Sequence, residues 1–263
     1  MRVGIVGLGS MGIALLRGAI GHGEYEFIVY DRNEPKRAEA RELGAQVASN
    51  ALEVASACDI FIVAVKPNGV SALLASVCTS LDLSNALVIS LAAGVGLDEV
   101  KSALSGYERI ALAMPNTPAK IKQGVSALVF SETLDELAQS RAIKFFKTFG
   151  LVQVISQAQM PAFIAIAGSL PAYVCLFIEA LSDAAVASGM SREAALKIAS
   201  NAVCGSAAMI ASELSSGTHP AQLKDAVCSP AGTTIAAIRE LEARGFRSAV
   251  IEGALAAAKK AQK

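Results

Sequence analysis

The fold class that this sequence predicts is α/β: a doubly wound, mainly parallel sheet followed by an all-helical segment. Three observations predict it. Short apolar runs alternate with amphipathic stretches over residues 1–155. Those runs are continuously apolar, as strands covered on both faces must be, and do not show the one-in-two pattern of a half-exposed sheet. After Ser156 the strand-like runs stop and only helical periodicity remains.

The elements follow in chain order. "RVGIVG" (2–7) reads as a buried strand, and "MGIALLRGAIGHG" (11–23) as a helix ended by glycine. "EFIVY" (26–30) is a second strand. "EPKRAEARELG" (34–44) is a helix with Pro35 in its first turn, where a missing N–H costs nothing. Further strands are expected at 59–65, 86–92, 109–114, 124–130 and 151–155, with helices near 69–80, 97–104 and 133–150. Beyond them, residues 171–188, 191–214, 219–227, 232–244 and 246–262 all read as helices. Two domains are therefore expected, 1–155 and 156–263, with no flexible linker between them.

Composition removes several function classes. Lys plus Arg number 23 and Asp plus Glu number 23, so the net charge is zero and no basic run offers itself to nucleic acid or anionic lipid. Five scattered cysteines without a C-x-x-C, and only two histidines, argue against a structural metal and for reduced thiols in the cytoplasm. No apolar leader is seen at "MRVGIVG", so no targeting peptide is expected. The uncharged stretch from Ala158 to Ile178 is long enough to span a bilayer, but Pro161, Gly168 and Pro171 interrupt it. A helix buried between subunits is the better reading. The 53% hydrophobic content points the same way.

"GLGSMG" (Gly7–Gly12) is G-x-G-x-x-G placed after a strand and opening a helix, the context that makes this motif a dinucleotide site. Gly7 allows the tight turn, Gly9 lets a pyrophosphate approach, and Gly12 allows close packing. The sheet is therefore expected to be Rossmann-like. Asp31 closes the second strand, where a carboxylate would grip the adenine ribose of NAD. Arg32 follows it and would pair with the 2′-phosphate of NADP. The two pull in opposite directions, so the cofactor is NAD(P) at this point. Loops after parallel strands form the ligand edge of such a sheet, which brings in "AVKP" (64–67), "LAAG" (91–94) and "MPNTP" (114–118).

"CSPAGTTI" (228–235) runs six small residues into a helix. Capping by a threonine accounts for one of them; backbone N–H groups at a helix start would also cradle an anion. His219, as "HP" before a helix, reads as a turn residue, and Lys224 and Asp225 as a local pair.

These stretches carry a resemblance. "GIVGLGSMG", "VAVKP", "LAAGV", "AMPNTPA", "GSLPAYVCLFIEALSDAAVASGM" and "HPAQLKDAVCSPAGTTIAAIRELEARGFRSAVIEG" together resemble the pyrroline-5-carboxylate reductases over essentially the full length. The resemblance implies an oxidoreductase that reduces 1-pyrroline-5-carboxylate to L-proline, the last step of proline biosynthesis, with NADPH or NADH as hydride donor. It implies an N-terminal cofactor domain and C-terminal helices that join subunits into a homodimer or larger homo-oligomer. Cofactor contacts are expected from Gly7, Gly9, Ser10, Met11, Gly12, Asp31, Arg32, Val65, Lys66, Pro67, Ala92, Ala93 and Asn116. Ser229, Gly232, Thr233 and Thr234 are expected to hold the substrate carboxylate, with the Thr234 hydroxyl at the imine nitrogen as the catalytic contact. Two positions depart from the family pattern. Leu170 stands where a small residue is usual, and Ala231 replaces a glycine in the Ser-Pro-Gly-Gly loop, where it should demand a negative φ. The alternatives are a 3-hydroxyacid dehydrogenase, which would need Lys197 or Lys224 as catalyst in a motif neither has, and a dinucleotide-binding scaffold with a decayed site.

Overall fold

The computed structural model describes residues 1–262. Its sheet has eight strands in the order β3-β2-β1-β4-β5-β6-β7-β8. These are β1 (Arg2–Val6), β2 (Glu26–Tyr30), β3 (Gln46–Val47), β4 (Ile60–Val63), β5 (Leu87–Ser90), β6 (Ile110–Pro115), β7 (Gly124–Phe130) and β8 (Gly150–Val154). All neighbours are parallel except β6 and β7. The helices between them are α1 (Ser10–Ala19), α2 (Glu34–Glu42), α3 (Ala51–Ser56), α4 (Val70–Ser84), α5 (Leu97–Ala103) and α6 (Glu136–Lys147). Every strand read from the apolar runs is present. β3 and α3 had no such signal: one has two residues and the other six, too short for a period to register. α3 is instead fixed by its cap, the Asn50 side chain accepting from the Glu53 N–H at 2.9 Å.

Alternate residues of β4 show why its run is unbroken. Ile60 and Ile62 join the core on one face of the sheet, while Phe61 and Val63 join the core on the other, and all four are fully buried. Phe145, Phe146 and Phe149 pack edge-to-face beneath the first of these cores. Burying side chains of this size contributes about 1.5–3 kcal/mol each, so this half holds its own core.

The chain divides into two compact units. The first holds Met1–Gly168 and the C-terminal residues from Ala258; the second holds Ser169–Ala257. The boundary falls later than the composition change at Ser156. The reason is packing: α7 (Met160–Phe163) and a π-helical turn (Ile164–Gly168) place Phe163 and Ala167 against Ala127 of β7. The second unit contains α8 (Leu170–Ala187), α9 (Arg192–Ser215), α10 (Pro220–Val227), α11 (Thr233–Ala243) and most of α12 (Phe246–Ala261). Its buried residues, among those described, are Ser182, Ala195 and Ala199, whereas Leu176, Ile198 and Leu255 are more than half exposed. Two helical stretches, Gln157–Ala187 and Arg192–Ser215, are long and apolar enough to cross a membrane by length and composition alone.

Candidate active site

The topological switch lies between β1 and β4, where the strand order reverses, and a cavity of about 960 Å³ opens there at the carboxyl ends of the strands. Its walls come from the turns after β1, β2, β4 and β5. Gly7, Gly9, Ser10, Met11, Asp31, Arg32, Val65, Lys66, Pro67, Ala92 and Ala93 line it. Tyr30, Asn68 and Leu73 line it as well. Sequence reasoning passed over these three, although Tyr30 is a strand end and Asn68 belongs to the turn after β4; the rule about strand ends would have included both.

The glycines do what their backbone requires. Gly7 has φ +99, and a Cβ there would lie 2.6 Å from the Ala64 carbonyl oxygen. A methyl on Gly12 would overlap the Gly7 carbonyl oxygen, so helix α1 can start directly against the turn. The cap of α1 is Gly9, with no side-chain bond to the first N–H groups. Those donors and the positive end of the helix dipole are what a pyrophosphate needs. Residues and cavity therefore fit a dinucleotide.

Asp31 does not face the cavity as a free carboxylate. Oδ2 accepts from the Leu8 N–H at 2.6 Å and Oδ1 from the Asn33 N–H at 2.8 Å. Arg37 is also occupied: its Nη1 donates to the Asp31 carbonyl at 2.6 Å, it pairs with Glu34, and its guanidinium sits 5.8 Å from the Tyr30 ring centroid. Lys36 pairs with Glu39 at 2.8 Å along α2. Arg32 remains exposed on the cavity wall.

Asn116 is not among the residues that line the cavity, and both ends of its amide are engaged by the protein. Nδ2 donates to the Ala167 carbonyl at 3.0 Å, and Oδ1 accepts from the Val125 N–H at 2.9 Å. Buried within the first unit, it ties the β6–β7 loop to the π-helical turn.

In the second unit, the Ser229–Thr234 run forms a tight turn feeding α11. The Gly232 N–H donates to the Ser229 carbonyl at 3.1 Å. Pro230 holds the second position of this turn and Ala231 the third, with φ +55. That is the pattern of a type II turn, whose third position is left-handed. The expectation of a negative φ at Ala231 is thus wrong: ring closure across the turn overrides the alanine preference. Gly232 caps α11 and no side chain does, so Thr233 and Thr234 are its first two residues and not its cap. Both stand in the first turn of an 11-residue helix, at its positive end, where the backbone N–H groups have no acceptor within the helix. Before the turn in the chain, His219 caps the start of α10, its Nδ1 accepting from the Ala221 N–H at 3.1 Å. Lys224 donates to Asp225 at 3.0 Å, and that bond holds its ammonium pKa above the ordinary value. Both make local contacts of the kind their sequence contexts suggest.

Comparisons with known proteins agree with this layout. Residues 157–263 match the family model described as pyrroline-5-carboxylate reductase dimerisation, and residues 2–94 match NADP oxidoreductase coenzyme F420-dependent. A pyrroline-5-carboxylate reductase of Escherichia coli is 41% identical, the match covering 100% of this chain and 97% of that protein. The crystal structure of a pyrroline-5-carboxylate reductase from Coxiella burnetii superposes with a TM-score of 0.91 at 30% identity, covering 99% of this chain and 97% of that one. That of the Plasmodium falciparum pyrroline carboxylate reductase with NADP bound gives 0.85 at 29% identity, over 100% of this chain and 97% of that one. The full-length identity to known members places the chain in the pyrroline-5-carboxylate reductase family.

Proposed function

We propose that this chain reduces 1-pyrroline-5-carboxylate to L-proline with NADPH, in the cytoplasm, as the last step of proline biosynthesis. The observation that carries the reading is the pairing, in one chain of this family, of a dinucleotide cavity at the sheet's switch point with an intact small-residue turn at the start of α11. Bound in the cavity, the nicotinamide supplies a hydride to the C=N carbon.

The chain's own residues do the rest. The turn after β1 and the first N–H groups of α1 hold the pyrophosphate. Arg32 holds the 2′-phosphate, a task suited to a guanidinium that makes no ion pair among the described residues and is exposed on the wall. Ser229, Gly232, Thr233 and Thr234 bind the substrate carboxylate through hydroxyls and helix-start N–H groups. The Thr234 hydroxyl contacts the imine nitrogen. An alcohol is too weak an acid to generate the proton, so it orients or relays one to a nitrogen that becomes the amine of proline.

The exposed apolar faces of the second unit are covered by a second copy, in keeping with the dimerisation model that matches this region. The same burial accounts for the two apolar helical stretches without a bilayer. Thr234→Ala tests the site: proline-forming turnover should fall about 100-fold, the lower end of what a positioned proton contact contributes, with the melting temperature unchanged. Unchanged turnover removes Thr234 from the mechanism.

A further inference from the structure

We propose that Asp31 is a positioning residue that locks the pyrophosphate turn to the ribose turn, and that it does not itself discriminate between cofactors. The proposal rests on the reading of the cavity as an NADP site and adds a role for a residue whose position suggests a different one. A carboxylate at the end of the second strand is where the ribose 2′-hydroxyl of NAD would be held. Here both carboxylate oxygens are engaged by the protein. Oδ2 accepts the Leu8 N–H at 2.6 Å, in the middle of the glycine turn, and Oδ1 accepts the Asn33 N–H at 2.8 Å, in the turn after β2.

Two more bonds run along the same seam. The Gly7 N–H donates to the Tyr30 carbonyl at 2.9 Å, and Arg37 Nη1 donates to the Asp31 carbonyl at 2.6 Å. The Leu8 side chain is fully buried, so its amide and its side chain together fix that residue. Asp31 thus joins the loop that meets the pyrophosphate to the loop that meets the adenosine end. Its charge is drawn to two N–H donors within the protein and away from a 2′-phosphate, which lets Asp31 and Arg32 sit next to each other in an NADP enzyme.

Asp31→Asn is the test, with Asp31→Ser as a second variant should the first fold poorly. Asparagine keeps one acceptor and sets an NH₂ against the other N–H. Dissociation constants for NADPH and NADH, measured by calorimetry on the full-length enzyme, should rise together by about tenfold, the loss of one hydrogen bond to a charged group. Their ratio should stay within threefold. Hydrogen–deuterium exchange of the peptide covering residues 2–16 should quicken in the cofactor-free variant, which a change in ribose contact alone would not cause. A selective loss of NADH binding overturns the proposal in favour of a ribose grip. A selective gain of NADPH binding overturns it in favour of a repelling charge, and unaltered affinities show that the seam positions nothing. Arg32→Ala is measured in parallel. If it leaves the NADPH-to-NADH ratio unchanged, the 2′-phosphate reading of Arg32 fails while the role of Asp31 stands or falls on its own data.

Discussion

Ala231→Gly is the most informative single change in the substrate turn. Ala231 sits at φ +55, where an L-residue with a Cβ is held at a cost of about 1–2 kcal/mol. The turn is closed by the Gly232 N–H on the Ser229 carbonyl at 3.1 Å, so the strain persists as long as that bond does. Ala231 is exposed, and removing its methyl leaves no cavity to offset the gain. Glycine returns part of the benefit, because it loses roughly 0.5–1 kcal/mol more backbone entropy on folding. The net stabilisation is therefore about 0.5–1 kcal/mol. At about 2–4 °C per kcal/mol for a protein of this size, the melting temperature should rise by about 1–4 °C.

Differential scanning calorimetry at fixed protein concentration, with and without NADPH, reads that shift. Steady-state kinetics on 1-pyrroline-5-carboxylate supplies the second readout. Because the alanine already holds the turn in the left-handed shape, kcat/KM should change by less than about threefold, or about 0.6 kcal/mol. The opposite substitution, Ala231→Val, puts a β-branched side chain where φ is positive and should lower both stability and activity. A destabilised glycine variant, or one whose kcat/KM rises more than tenfold, would refute the reasoning. Either result would mean that the alanine form does not hold this turn.

Two further predictions concern the first unit. Asn116→Ala removes one bond to the π-helical turn and one to β7 and should cost about 1–3 kcal/mol by denaturant unfolding, while the NADPH dissociation constant stays within twofold; a selective loss of NADPH binding would place Asn116 in the cofactor site. Burial pushes the Cys58 thiol up to about 12 from an ordinary 9.0, so the folded state holds its proton more tightly than the unfolded chain does. The stability this confers is complete below pH 9.0 and is lost as pH rises toward about 12. Thermal melts across that range should show the decline, and Cys58→Ala should flatten it. Native Cys58 should not react with a thiol reagent at pH 8.

The inner strands were legible because they are covered on both faces, as β4 illustrates, so each appears as an apolar run; β8, at the edge, leaves Leu151 and Val154 exposed. The glycine turn was legible because its spacing is forced by contacts a Cβ would spoil. Direction was less so. The strand-end position of Asp31 is plain from its spacing, but no pattern states that its oxygens point to Leu8 and Asn33. Asn116 has the same history: a polar residue in a ligand-edge loop, whose partners lie 9 and 51 positions away in the chain. Thr233 and Thr234 carry good capping chemistry, yet the turn closed at Gly232 moves them one step into the helix. Propensity yields here to a hydrogen bond that only the folded loop reveals.

The helical half poses a different problem. Its sequence is apolar and periodic, and the helices fall where the period puts them. Burial, however, is a property of surroundings. Ser182, Ala195 and Ala199 are buried, while Leu176, Ile198, Met209 and Leu255 stand exposed, in a unit that matches a dimerisation model. A unit of this size without its own apolar centre cannot offset the entropy of ordering its chain. The missing apolar contacts must come from a second copy, which makes the stability of this half inseparable from protomer concentration. The excess of hydrophobic residues over charge was the trace of that arrangement in the sequence. It signals that apolar surface must be covered, and the exposed faces of the helical unit show where.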